Sequence, residues 1–315
     1  MDNKQVIKNI QKLMKYDEVV VVAPSDVPKT MLRVYAHGGM IGRLNTGSGH
    51  SHLLAESYYS EAKDYLSENQ KKELKKIFKS LKDTDKILLS DNYLKLAIEA
   101  AKNKGKKKSN SDKRSPRERD IQTQIVKRFM RNSEHWFIAD MEFFPSKKWK
   151  IGKGKPDLIV FDDDRKQLGV IELKYNNENM NNLKKHYDDF MKYYANPLEF
   201  NREMFRRIDE YLIEYNLVDI KFKDSVKAAL GTKDEPSNNR IWFGFLFVVD
   251  DNNKKNPKGD IKSKIDAITG NEKSPIEDCR FLYVKSLDEI AENGLCYDNM
   301  LSYNDFKKVL DKEKK

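Results

Sequence analysis

From Pro156 to Lys174 the chain reads PDLIVFDDDRKQLGVIELK. Two apolar runs, Leu158–Phe161 and Leu168–Leu173, flank the polar tetrad Asp162, Asp163, Asp164 and Arg165, the composition of two buried strands joined by a turn. Side chains alternate faces along a strand, so Glu172 and Lys174 project to one side of the second strand and Leu173 to the other. Asp157 stands at the mouth of the first strand. Two acids and a base are thus set in otherwise apolar strands, where charge is costly unless it is paired or bound to a metal. The alternative is a surface cross-strand ion pair preceded by a turn-forming Asp157. Val170, Ile171 and Leu173 favour the buried strand.

Pro156-Asp157, fourteen intervening residues and then Glu172-Leu173-Lys174 resemble the signature of the PD-(D/E)XK nucleases, the superfamily with the restriction-endonuclease-like fold. The resemblance spans about residues 115–250 and implies an α/β fold: an αβββαβ core around a mixed sheet. The chain offers that order. A helix starts near Ser115, strands cover His135–Phe144, Leu158–Phe161 and Leu168–Lys174, a helix covers Asn181–Ala195, and a strand covers Ile241–Val249. The resemblance further implies metal-assisted phosphodiester hydrolysis. Asp157, Glu172 and the Leu173 carbonyl would hold Mg²⁺, with Mn²⁺ able to substitute, and Lys174 would orient or help deprotonate the attacking water. The first core helix of the family commonly adds an acid, and Glu118 is the candidate; its competing role is that of capping-box partner to Ser115. Some members carry a Gln and a Tyr on the helix after the lysine strand, whereas here Leu183 stands four residues before Tyr187, so that variant is not matched.

At 315 residues and 38% hydrophobic content the chain can fill one large core or two ordinary ones. No apolar run approaches the roughly 18 residues of a membrane span. The opening MDNKQVIKNIQKL lacks the apolar region of a signal peptide, so a cytoplasmic chain without a membrane partner is expected. Cys279 and Cys296 are the only cysteines, which argues for a reducing compartment and against a structural zinc site.

The net charge of +10 is concentrated in the middle of the chain. Basic and acidic residues number 16 and 13 over residues 1–100, 17 and 6 over 101–155, and 27 and 31 over 156–315. A basic block that ends where the carboxylates begin points to a polyanionic partner, nucleic acid rather than a membrane surface. Within it, Lys102–Arg114 (KNKGKKKSNSDKR) holds no apolar residue and reads as a linker and domain boundary. Ser115-Pro116-Arg117-Glu118 is a helix start, with Ile121, Ile125 and Phe129 as its buried stripe. In PSKKWKIGKGKP, Lys147, Lys148, Lys150, Lys153 and Lys155 surround Trp149, a composition suited to phosphate contacts and base packing, or else to a solvated loop.

Residues 1–101 read as a smaller α/β or α-rich module. Ile7, Ile10, Leu13 and Met14 recur at helical spacing, Val19–Ala23 and Met31–Ala36 read as strands, and Ser67 with Gln70 forms a capping box opening a helix through Leu81. A further strand at Ile87–Leu89 and a helix at Tyr93–Ala101 complete it. His37–His52 (HGGMIGRLNTGSGHSH) holds three of the five histidines and five glycines; it is not a P-loop, and it reads as a connection, a ligand-contacting turn or a metal site at His50 and His52. The expected division is 1–101, a linker 102–114, and a nuclease domain 115–315 with a helical insertion at 196–239. The C-terminal part, with a polar loop Asp250–Lys258, a strand Phe281–Val284 and a helix from Asn304, reads as added scaffolding.

The resulting expectation is a Mg²⁺-dependent endonuclease acting on DNA rather than RNA, in a restriction or phage-defence setting. Two alternatives stand beside it. One is a nucleic-acid-binding protein built on an inert nuclease scaffold; the other is a sensor-effector whose first hundred residues bind a ligand or protein partner and gate the nuclease. Oligomeric state is left open, a homo-oligomer included.

Overall fold

The computed structural model describes residues 3–24, 31–46, 51–52, 65–79, 90–107, 116–130, 134–143, 155–176, 180–249, 257–269 and 279–312. It is a mixed α/β protein that divides into two compact units, Met1–Arg128 with Tyr211–Val218, and Phe129–Glu210 with Asp219–Lys315. Among the described residues no helix is long and apolar enough to cross a membrane.

In the first unit, helix α1 (Asn3–Leu13) precedes an antiparallel sheet in the order β1 (Val19–Val22), β2 (Met31–Ala36), β3 (Gly39–Asn45), β4 (Ser51–His52). Helices α2 (Glu68–Lys79), α3 (Asp91–Lys107) and α4 (Pro116–Phe129) follow. The Ser67 capping box is present, with Ser67 N donating to Gln70 Oε1 at 2.9 Å and Gln70 N to Ser67 Oγ at 3.4 Å. The predicted strand Ile87–Leu89 lies outside the described residues.

Two expectations for this unit are corrected. The stretch from His37 is a β-hairpin: His37 and Gly38, at φ 47° and 71°, form a two-residue turn between paired strands, which is what an I′ turn requires. Gly38 has a second constraint, since a Cβ there would lie 2.1 Å from that of Arg119. The proposed linker is helical up to Lys107, where α3 ends, and Asn103 Nδ2 donates to Tyr65 O at 3.0 Å. Lysine is a good helix former, so an absence of apolar residues did not stop the helix.

The division of the chain falls after Arg128, so α4 belongs almost entirely to the first unit and not to the second. Its anchors explain this. Gly38 N donates to Thr123 Oγ1 at 2.7 Å, His37 Nδ1 meets Asp120 Oδ1 at 2.9 Å, and Lys127 Nζ reaches the carbonyls of Met14, Tyr16 and Val19 at 3.2, 3.3 and 3.3 Å.

The second unit is built on a five-stranded mixed sheet in the order β5 (Trp136–Met141), β6 (Leu158–Asp162), β7 (Gln167–Tyr175), β8 (Trp242–Val248), β9 (Cys279–Val284). β5, β6 and β7 are antiparallel neighbours, and β8 and β9 are added parallel. The C-terminal strand, expected as scaffolding, is therefore a full member of the sheet. Helices α5 (Leu183–Tyr194) and α6 (Pro197–Arg207) follow β7, a π-helical turn covers Ile208–Ile213, and α7 (Lys223–Leu230) precedes β8. Three more helices are α8 (Pro257–Thr269), α9 (Leu287–Asn293) and α10 (Tyr303–Lys312). Phe190 of α5 stacks on Phe243 at 5.6 Å and Phe306 of α10 on Phe281 at 5.2 Å, so aromatic rings cover the sheet face that carries the even-numbered residues of β7.

α6 is fixed through charge. Arg207 and Asp140 of β5 are both fully buried and hydrogen-bonded to each other; Met141 N donates to Asp140 Oδ1 at 2.8 Å, and Arg207 Nε donates to Glu203 Oε1 at 2.9 Å. The Arg207 guanidinium also lies over the Phe143 ring at 4.5 Å. Arg206 and Arg207 are thus structural. Removing one member of such a network strands the other charge, so Asp140→Ala should cost about 3–5 kcal/mol, read as a lower urea midpoint at unchanged m-value. A loss under about 1 kcal/mol would mean that these charges are not dehydrated.

Candidate active site

The antiparallel register of β6 and β7 pairs Leu158 with Ile171, which sets Asp157, one residue before β6, beside Glu172 and Leu173. Asp157 Oδ2 accepts the Leu173 N–H at 2.9 Å. On β7, Lys174 Nζ donates to Glu172 Oε1 at 2.5 Å and to the Leu173 carbonyl at 3.1 Å. Glu172 and Lys174 are each 2% exposed, so this is a buried pair and not a surface one. Their partners on β8 are Phe245 and Phe247, which supply an apolar wall.

His186, on the first turn of α5, places Nε2 3.3 Å from Glu172 Oε1. It was not picked out from the sequence, although a signal existed. Leu183, His186, Tyr187 and Phe190 fall at i, i+3, i+4 and i+7, so His186 is the polar member of the buried stripe. Glu142, just beyond β5, was also missed. Its N–H donates to Asp157 O at 3.0 Å, it adopts φ 48°, and its charge acts on Asp157. Nothing in the sequence marks a glutamate for a left-handed backbone, which non-glycine residues adopt uncommonly.

Burial, and after it the Glu172 carboxylate, holds the Asp157 carboxyl well above the usual range; Lys174 and the Leu173 N–H oppose the shift, and Glu142 adds to it. Two carboxylates therefore share a poorly solvated corner. Among the described residues no three His, Cys, Asp or Glu side chains form a metal cage. The donor set is instead two carboxylates and a main-chain carbonyl. These are hard oxygens, and they suit Mg²⁺, which keeps several waters and commonly takes only one or two carboxylates from a protein.

The structure brings Asp157, Glu172, Leu173 and Lys174 together. Glu118 lies on α4 in the first unit. Lys155 is exposed, just before Pro156, while Lys147, Lys148, Trp149, Lys150 and Lys153 lie outside the described residues. Neither thiol is a candidate nucleophile: Cys279 and Cys296 are buried, and burial, reinforced by Asp162, raises that of Cys296. Comparison with protein-family models, with curated proteins and with solved structures gives no match. What fold and site define is a mixed α/β protein with a buried carboxylate–lysine–histidine cluster at the strand pair β6–β7.

An acid whose pKa is higher folded than unfolded holds its proton longer in the native state. Stability then falls as pH rises from the ordinary value of 3.8 through the raised one, and the cost is fully felt above it. Asp157→Asn should therefore raise the melting temperature at pH 7 by about 2 °C or more. The gain should shrink as pH approaches 4. Thermal melts across pH check this, and a lower melting temperature for the variant at pH 7 would contradict it.

Proposed function

We propose that the protein is a metal-dependent nuclease that hydrolyses phosphodiester bonds, with DNA as the favoured substrate. One observation carries the reading: Glu172 and Lys174 are buried on a sheet strand with Asp157 hydrogen-bonded between them at Leu173. Charges in such a place are expensive as structure and useful as chemistry. Within the second unit, the order of three antiparallel strands, helix and parallel strand supports the resemblance to the PD-(D/E)XK nucleases. A restriction or phage-defence role follows from the resemblance alone.

Asp157, Glu172 and the Leu173 carbonyl would hold Mg²⁺, or Mn²⁺ in its place. When bound, the ion supplies neutralisation of the charge that develops on the scissile phosphate. Lys174, held in place by Glu172 and the Leu173 carbonyl, orients the attacking water through its N–H groups. His186 fixes Glu172 from the helix side. Lys155, with the lysines before it, draws the polyanion towards the site.

A second reading, an inert scaffold that binds nucleic acid without cutting it, has one observation in its favour: Glu172 is already paired with both Lys174 and His186, as it would be in a purely structural network. Cleavage assays separate the two. Purified protein should cut plasmid DNA with Mg²⁺ and not with excess EDTA, and Glu172→Gln or Lys174→Ala should lower the rate by about 10² or more with DNA affinity retained. DNA binding without metal-dependent cleavage by the unmodified protein would establish the inert scaffold.

Attraction is assigned to other residues than chemistry. Replacing Lys147, Lys148, Lys150, Lys153 and Lys155 with Ala should weaken binding to all sequences alike and reduce the salt slope by up to about 0.9 log unit per lost phosphate contact. Cleavage at saturating DNA should largely recover. A full salt slope in that variant would make the segment an ordinary solvated surface.

A further inference from the structure

Each carboxylate of the cluster commits one oxygen to the chain. Asp157 Oδ2 accepts the Leu173 N–H at 2.9 Å. Glu172 Oε1 meets two groups, Lys174 Nζ at 2.5 Å and His186 Nε2 at 3.3 Å, while Glu172 Oε2 is enclosed and accepts no hydrogen bond among the described residues. An ionised carboxylate only accepts, so both groups at Oε1 face it as donors. The two differ in origin. Lys174 stands two residues along the same strand, whereas His186 reaches the acid from α5.

α5 is held in place independently of that acid. Leu183, Tyr187 and Phe190 are buried, and the rings of Tyr187 and Phe190 pack on Phe243 at 6.2 and 5.6 Å. The His186 side chain is 26% exposed, so its ring borders the cluster without belonging to the core. A donor on a helix fixed in this way cannot follow the Glu172 carboxylate as it turns, and hydrogen bonds of this kind orient ligating carboxylates. Turning Glu172 to present both oxygens to one ion would break the His186 contact. The carboxylate is thus limited to one oxygen, as Asp157 is by the Leu173 N–H.

We propose that His186 is a positioning residue that selects the ion: by pinning Glu172 at Oε1 it limits the centre to one oxygen from each carboxylate, which suits Mg²⁺ or Mn²⁺ and disfavours Ca²⁺. His186 has this role only if the metal-dependent reading above holds. Mg²⁺ demands near-octahedral geometry and keeps several waters, so two carboxylate oxygens and the Leu173 carbonyl suffice as its protein ligands, and Mn²⁺ is served by the same donors. Ca²⁺ takes about six to eight oxygens and readily draws two of them from a single carboxylate. His186 touches neither ion nor phosphate; it acts through Glu172.

The test is calorimetric titration of the full chain with Mn²⁺ and with Ca²⁺, each alone and without nucleic acid. The unmodified protein should bind Mn²⁺ more tightly than Ca²⁺, and Asp157→Asn, which alters a ligand, should weaken Mn²⁺ binding and so locate it at the cluster. His186→Ala should weaken Mn²⁺ binding about tenfold or more, the loss typical for a hydrogen-bond partner of a metal ligand, while leaving Ca²⁺ binding no weaker. His186→Gln, whose amide still donates, should restore the preference. Melting of each variant without metal shows that it is folded. A merely structural histidine would weaken both ions alike; that result, or an unchanged ratio of the two affinities in folded His186→Ala, overturns the role of His186 and leaves the nuclease reading standing. No binding by the unmodified protein, or Mn²⁺ binding undiminished in Asp157→Asn, removes the metal centre itself and the role of His186 with it.

Discussion

A charged pair on the central strand of a sheet constrains what surrounds it. β7 has a neighbour on each edge, β6 antiparallel and β8 parallel, and its even-numbered positions carry Glu172 and Lys174 into an interior walled by Phe245 and Phe247. Dehydrating an ion pair costs several kcal/mol per ion, recovered only where geometry is good and the remaining hydrogen-bonding capacity is used. The chain answers the first requirement locally and the second only in part, since the buried Glu172 Oε2 accepts no hydrogen bond among the described residues. Lys174 spends one donor on Glu172 and another on the Leu173 carbonyl, and α5 returns across the strand with a histidine, in place of an apolar residue, above Glu172. The crossover to the parallel strand β8 is what puts a helix there, because parallel neighbours need a connection that passes over the sheet.

This logic also explains which parts of the protein were legible in the sequence. The hairpin β6–β7 was readable because apolar runs and a polar turn define strands without reference to anything distant. The same holds for the Ser67 capping box, whose two hydrogen bonds close within four residues. The hairpin β2–β3 was equally local, yet its glycines and histidines were weighed for ligand chemistry and not for turn geometry, so that the left-handed pair His37-Gly38 went unread. Helix α7 owes its place to packing on α6, and α8 to packing on α5 and α10, which composition does not encode; the strand Phe281–Val284 was legible, but not its pairing with β8. Asp157, Glu172 and Lys174 were found through spacing along a strand pair. His186 and Glu142 were missed because they arrive from a separate helix and from a strained backbone position.

The division of the chain shows a further limit of composition as a guide. A run without apolar residues has no core to join, yet α3 continues through it as far as Lys107, because a helix satisfies its own backbone and lysine tolerates that conformation well. α4 bears an apolar stripe that fits any core, and polar anchors decide which. Gly38, His37 and three carbonyls between Met14 and Val19 hold Thr123, Asp120 and Lys127. Such partners more than eighty residues distant cannot be read from a local pattern.

Two buried ion clusters in the second unit can be set against each other, and their difference bears on function. Around Asp140 the charges close on themselves: one oxygen takes the Met141 N–H, the other faces Arg207, and Arg207 is shared with Glu203 and stacked on Phe143. With Arg206 included, two acids face two arginines. Around Glu172 the electrostatics differ. Burial, and after it the Glu172 carboxylate, holds the Asp157 carboxyl in its protonated form to higher pH, with Glu142 adding to the shift and Lys174 opposing it. Carboxylate oxygens gathered in a poorly solvated corner are the electrostatic complement of a divalent cation, and that is the arrangement on which the proposed nuclease reading draws.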